Sequence, residues 1–334
     1  MRCYNLAAAL DELDYEIHAL QSPTMASFDF FMPTEFIHWH VTSSTLHASE
    51  VLEFLRMLQQ LHEFDAVLID GYQFSEAYRS VLKSVFATVI SFDDINDCSG
   101  YHCDVLINSS ATANQINYSD TAPDALLLLG ENYRQMGSGY VTARQQLIKH
   151  SNWDERNSLT IIMGGADTHS LTLPLLQSLE QINWSEDAPT FNIITTDLYS
   201  RANMIHTWCK SREHIEVIHQ KYDLSDVFMR SCLVITAAGG SAYEIQLCAA
   251  PSMTIIVEDN QAEAAHDAER MGWSSLWDWR EQKSMARLSQ AVQQLWEQPQ
   301  KLKAMHNKLI FDLEKLRVPD LASYIDRYLR ANRR

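Results

Sequence analysis

Short apolar runs of strand length alternate with helix-length segments through most of this 334-residue chain. That alternation is the signature of parallel sheets joined by helical crossovers, so it predicts an α/β protein. Strands are predicted over residues 36–41, 66–69, 88–92, 105–107 and 126–129, and again over 159–163, 191–195, 215–218, 233–236 and 253–257. The two series read as separate Rossmann-type units, and the chain is long enough for each to bury its own core. A polar stretch of mixed charge over 145–158 lies between them, which predicts domains 1–150 and 151–334. Beyond Val257 the spacing predicts mainly helix, over 288–296, 299–316 and 321–329. Residues 3–13 have helical spacing with no strand or glycine turn ahead of them, so the first strand of that βαβ unit is expected to lie before Met1.

Charge narrows the partners. A formal net charge of −17 opposes attraction to nucleic acid or to an anionic membrane. It also repels a small anion at long range, so a bound nucleotide would have to be held by local N–H groups and helix ends. No apolar stretch approaches the roughly 18 residues of a membrane span. The first residues lack the basic and apolar regions of an export signal, and the expected location is cytoplasmic. Nothing in the sequence sets the oligomeric state.

Six scattered cysteines (Cys3, Cys98, Cys103, Cys209, Cys232, Cys248) form no CxxC pair and read as reduced thiols. Cys98 and Cys103 flank His102 without a second ligand pair at zinc-like spacing. His38 and His40 alternate on one predicted strand, but two imidazoles make no metal site without a third ligand. The expectation is therefore no metal and no cofactor.

The segment from Thr236 to Glu244 reads strand, glycine turn, helix. Gly239 and Gly240 would let a diphosphate approach the main chain, with the following helix start as an anion site. Ser241 and Glu244 also fit a capping box, in which both side chains serve the helix end and bind nothing else. A second turn, Gly164-Gly165-Ala166-Asp167, follows a predicted strand at the position where open α/β sheets take ligands. Asp167 fits a helix cap equally well. Asn260 and Gln261 offer neutral donors and acceptors for sugar hydroxyls, or form a solvated turn. Asp70, Tyr72, Asp93 and Asp94 stand at or just after strand ends in the first series and read as caps or as general bases. Consecutive residues on extended chain point opposite ways, so Asp93 and Asp94 are not expected to share a site.

These segments together resemble the UDP-sugar hydrolases of pseudaminic-acid biosynthesis, in the two-domain GT-B group that includes the N-acetylglucosaminyl transferase of peptidoglycan synthesis. Met1-Arg2-Cys3 with Leu6-Ala7 and Ala9-Leu10 is similar to the end of the family's G-x-G-H-x-x-R-C-x-x-L-A-x-A-L segment. Val67 to Tyr72, Ile90 to Asp94, Cys103 to Asn108 and Leu129 to Tyr133 resemble its later elements in order. Met163 to Asp167, Ala238 to Glu244 and Glu258 to Gln261 resemble its F-G-G-S/A-D-P, A-G-S-T-x-x-E and E-N-Q segments. Two departures stand out: the G-x-G-H with its proposed base histidine corresponds to positions ahead of Met1, and Tyr133 is followed by Arg134-Gln135 where the family has Leu-Arg.

The resemblance implies a GT-B fold, two Rossmann-like domains with parallel sheets facing across a cleft. It implies a UDP-linked N-acetylated deoxysugar as ligand and hydrolysis at the anomeric C–O bond, with impaired binding-only or glycosyl-transferring relatives as alternatives. The implied nucleotide residues are Gly239, Gly240, Ser241 and Glu244. Gly164, Gly165, Asp167, Asn260 and Gln261 would face the sugar. Asp70, Tyr72 and Asp94 are the candidate replacements for the absent catalytic base.

Overall fold

A computed structural model describes residues 2–21, 34–41, 48–110, 112–184, 188–315 and 320–332. Twelve strands are present among them: β1 (Ile17–Gln21), β2 (Ile37–Val41), β3 (Val67–Ile69), β4 (Val89–Phe92), β5 (Val105–Asn108), β6 (Leu126–Leu129), β7 (Ser158–Ile162), β8 (Thr190–Thr195), β9 (Ile215–His219), β10 (Ser231–Ala237), β11 (Ser252–Ile256) and β12 (Ser274–Asp278). Every pairing between them is parallel. By packing, the chain groups into Met1–Met136 with Arg317–Arg334, and Gly137–Leu316. This grouping differs from the expected 150/151 division in two places. Residues 138–149 form a helix of the second unit, and the final helix returns to the first.

In the first unit β3-β4-β5-β6 form one sheet and β1-β2 a separate pair. Alternating side chains send Val89 and Leu106 to one face and Ile90, Phe92, Val105 and Ile107 to the other. Burial on both faces explains the unbroken apolar runs of these strands. The Arg2–Asp11 helix and the Leu321–Asn332 helix cover the second face, where Leu6, Leu321, Ile325 and Leu329 are buried together. The last helix was legible from its apolar spacing, but its partner surface lies some 190 residues and more back along the chain.

The second unit is one six-stranded sheet in the order β12-β11-β10-β7-β8-β9. Leu159, Ile161, Phe191, Ile193, Leu233, Ile235, Met253 and Ile255 build its main core with the Thr172–Leu179 and Met285–Trp296 helices. The reverse face carries buried polar side chains that satisfy one another, such as Thr160 Oγ1 with Ser231 Oγ at 2.6 Å. Arg156 is buried and donates to the carbonyls of Phe228, Ser231 and Cys248 and to Asn152 Oδ1. β12 lies where mainly helix was expected. Its first residue, Ser274, is buried and bonded to Thr254 Oγ1 at 2.7 Å, so its polarity hides a strand that pairs at the sheet edge.

Candidate functional site

The order of the second sheet sets where a ligand can dock. From β7 the chain runs outward to β8 and β9, then returns to the other side of β7 as β10 and proceeds to β11 and β12. The point of reversal lies between β7 and β10, and the loops leaving their carboxyl ends diverge there. Those two loops carry Gly164-Gly165 and Gly239-Gly240. A Cβ added at any of the four glycines would meet nothing within 4 Å. Only Gly164, at φ +69°, needs glycine for its backbone. The other three are therefore not demanded by the protein's own packing.

Their main-chain groups are unequally used. Tyr199 Oη donates to Gly164 O at 2.8 Å and accepts from Met163 N at 3.1 Å, and Thr196 Oγ1 donates to Gly165 O at 2.6 Å. The amides of Gly164, Gly165, Gly240 and Ser241 donate to none of the described acceptors. The Ser241–Leu247 helix begins behind Gly240, whose φ of −57° and ψ of −32° are already helical, and no side chain caps it. The capping box that Ser241 and Glu244 allowed is thus not formed, and the turn presents main-chain donors at a helix start.

The other predicted residues of this unit are partly committed to local structure. Asp167, 6% exposed and at φ +43°, accepts from Leu171 N at 2.8 Å and Thr172 N at 3.1 Å. It serves the start of the Thr172–Leu179 helix, which is the cap reading of that residue. Gln261 Oε1 accepts from Val257 N at 3.1 Å and Glu258 N at 3.3 Å, inside the 3-10 turn Asp259–Gln261. Its Nε2 is the group left for an outside acceptor. Asn260 belongs to the same turn, and its side chain lies outside the described residues. His169 Nε2 meets Glu258 Oε1 at 2.8 Å, so the segment after β7 and the turn after β11 touch.

In the first unit the structure brings Asp70, Tyr72 and Asp94 together around a residue that sequence reasoning used only as part of a motif. Arg2 spans both carboxylates, with Nη2 2.6 Å and Nε 2.9 Å from Asp70 and Nη1 2.6 Å from Asp94. Tyr72 Oη donates to Asp94 at 2.8 Å and Cys3 Sγ to Asp70 at 3.2 Å. Burial raises the Asp70 pKa, but hydrogen bonding and charge from Arg2 outweigh it and hold the carboxyl below its ordinary value. Burial works against the Arg2 charge too, yet its two carboxylates more than offset this and raise its pKa. Tyr72 is pushed up to about 12 by its hydrogen bond to Asp94, so at neutral pH it is a donor. An arginine clamp of this kind makes Asp70 a weak base. Asp93 faces the opposite way, as strand geometry requires, and accepts from buried Tyr101 and Tyr118.

No protein-family model matches the chain. Its fold is of the GT-B glycosyltransferase type. MurG of Acinetobacter baumannii superposes with a TM-score of 0.55 at 12% identity, covering 99% of this chain and 95% of that one. The spinosyn forosaminyltransferase SpnP gives 0.60 at 12%, with 99% and 95% covered. The UDP-GlcNAc 2-epimerase of Neisseria meningitidis, solved with UDP-GlcNAc, gives 0.53 at 12%, with 99% and 98% covered.

In sequence, the chain is 21% identical over 231 residues to the UDP-2,4-diacetamido-2,4,6-trideoxy-beta-L-altropyranose hydrolase of Campylobacter jejuni, covering 68% of this chain and 79% of that protein. It is 21% identical over 210 residues to an uncharacterized protein of Methanocaldococcus jannaschii, covering 61% of this chain and 42% of that longer protein. No helix among the described residues is long and apolar enough to cross a membrane.

Proposed function

We propose that this chain processes a UDP-sugar, and that its reaction is hydrolysis of a UDP-linked N-acetylated deoxysugar at the anomeric carbon. The observation that carries the reading is the pair of open glycine turns at the reversal point between β7 and β10, with four amides donating to no described acceptor. Such a place accepts a diphosphate without a basic side chain, which suits a chain of net charge −17. The sugar-nucleotide hydrolase relative and the UDP-GlcNAc-bound fold neighbour support the same ligand class. Gly239, Gly240 and Ser241 hold the diphosphate in this reading, and Glu244 accepts from the ribose hydroxyls.

In the reaction, a water oxygen bonds to the anomeric carbon from the face opposite the leaving group and the C–O bond to UDP breaks. The water loses one proton, and the departing diphosphate is stabilised by the amides. In this reading Gly164, Gly165, Gln261 and Asn260 serve the sugar, and Asp70 and Asp94 are the candidate acceptors for the proton, with Tyr72 remaining a hydrogen-bond donor. No cofactor or metal enters this step.

The clamp of Arg2 on Asp70 and Asp94 favours a second reading, in which the chain binds the sugar nucleotide without turning it over. One experiment tests both. UDP affinity is measured by calorimetry, and the diacetamido-trideoxy-altrose UDP-sugar is incubated in ¹⁸O-water with product analysis. Hydrolysis at carbon places the label on the free sugar. Label on UDP refutes that bond cleavage, UDP binding without product supports the accessory reading, and no UDP binding at all overturns the proposal.

A further inference from the structure

Apart from these two regions, the first unit gathers five ligand-type side chains: Glu16 just before β1, His18 in β1, His38 and His40 in β2, and His62 at the end of the Ala48–His62 helix. The parallel register sets His18 opposite His38, and the two-residue period of the strand brings His40 to the same face. The helix end then lays His62 over His18, with ring centroids 4.5 Å apart. The third imidazole that the sequence did not offer beside His38 and His40 is supplied by the fold.

The nitrogens point inward as a set. His18 Nδ1 lies 2.8 Å from His40 Nε2, and one ligand nitrogen from each of His18, His40 and His62 lies within 4.8 Å of the others. On the outer side of its ring, His18 Nε2 meets Glu16 Oε1 at 2.9 Å. A carboxylate on the outer nitrogen fixes the Nε2–H tautomer and turns the Nδ1 lone pair into the cluster, the arrangement found behind metal-binding histidines. Three imidazoles on a tetrahedral zinc, each at about 2.0–2.1 Å, have their nitrogens about 3.3 Å apart. Closing the widest separation therefore takes at most about 1.5 Å, within reach of small side-chain rotations. Neutral nitrogen donors without thiolates suit Zn²⁺, Ni²⁺ or Cu²⁺ and not Mg²⁺ or Ca²⁺.

We propose that His18, His40 and His62 bind one divalent transition-metal ion, with Glu16 orienting His18 and a fourth position open to water. The ion ties the β1-β2 pair, which among the described residues shares no strand hydrogen bond with the β3-β6 sheet, to the helix that leads into β3. The site is distinct from the acidic cluster, since His62 precedes β3 and Asp70 follows its last residue. Its role is to hold the two pieces of this unit together.

The full chain, free of any affinity tag and stripped with chelator, is titrated with Co²⁺ and Zn²⁺. The expected result is one ion per chain, visible Co²⁺ bands of tetrahedral intensity, and a Zn²⁺-dependent rise in melting temperature. His62 is exposed, so His62→Ala leaves the apo fold intact and should weaken binding at least about 100-fold, while Glu16→Gln, which removes the orienting group, weakens it about 10- to 100-fold. His266→Ala, at an exposed position on another helix, serves as the control and changes nothing. Wild-type protein that binds Co²⁺ no more tightly than His62→Ala, or gives no tetrahedral bands, overturns the proposal and leaves a stacked imidazole cluster.

Discussion

The two units solve the same architectural problem with different materials. The second has one continuous parallel sheet, and the edge at its reversal point presents main chain: glycine turns, open amides and a helix start. The first has its strands in two separate sheets, and its strand ends carry charged side chains locked by Arg2. A main-chain site depends on backbone path alone and survives wide sequence drift. A side-chain site depends on each partner, and replacing one changes the protonation chemistry of the rest.

The sharpest way to break this comparison is Gly240→Asp. Gly240 has an ordinary helical backbone and an added Cβ there meets nothing within 4 Å, so the fold should hold. Its carboxylate would stand where the diphosphate docks, and like charges in contact cost several kcal/mol, so UDP affinity should fall on the order of 100- to 1,000-fold. Calorimetry with a matched melting curve checks both halves. Unchanged affinity moves the nucleotide elsewhere.

Acid should loosen the units in different windows. His306 is fully buried, accepting from Ser151 Oγ at 3.0 Å and donating to Ala249 O at 2.7 Å, and burial with the nearby Arg156 charge lowers its pKa to about 4. Its folded value lies below the unfolded one, so the unfolded chain takes the proton first. The stability it contributes is complete above about pH 6.5 and is lost as pH falls to about 4, a change on the order of 2–3 kcal/mol in the second unit. Hydrogen exchange across this range, read separately for each unit, should show it, and His306→Gln should flatten the slope. Asp70 works lower: its contribution is present above the ordinary value of 3.8 and disappears as pH drops through its depressed folded value.

Arg2→Ala should cost the first unit about 1–2 kcal/mol at neutral pH. That figure sits between exposed and buried ion pairs because a quarter to a third of each side chain remains exposed. With the guanidinium gone, burial outweighs the remaining hydrogen bond from Cys3 and raises the Asp70 pKa, so the acid-loss window should move upward. Denaturant unfolding at pH 7 and pH 4 measures both effects, and an unmoved window shows that Arg2 does not govern the carboxylate.

Much of the fold was legible because apolar runs record two-sided burial directly, as in Val105–Ile107 and Leu233–Ile235. β1 escaped because His18 and Gln21 break the apolar run of Ile-His-Ala-Leu-Gln, and β12 because it opens on two serines. The open turns at Gly164 and Gly239 were readable since a backbone path is written locally in glycines. Arg2's grip on Asp70 joins residues 68 positions apart, and no spacing rule reaches that far. The cap at Asp167 was one of two local readings, and only the positions of the Leu171 and Thr172 amides distinguish them.

The smallest expected effect separates two roles at Gln261. Its Oε1 accepts from Val257 N and Glu258 N, a task that a glutamate oxygen performs equally well. Gln261→Glu therefore keeps the turn, and stability should stay within about 0.5 kcal/mol. What changes is the other end of the amide, where a donor becomes an acceptor with negative charge. If Nε2 donates to the sugar, affinity for the UDP-sugar should fall about 3- to 10-fold while affinity for UDP alone stays constant. Equal affinity for both ligands before and after the change confines Gln261 to the turn and removes it from the sugar side of the site.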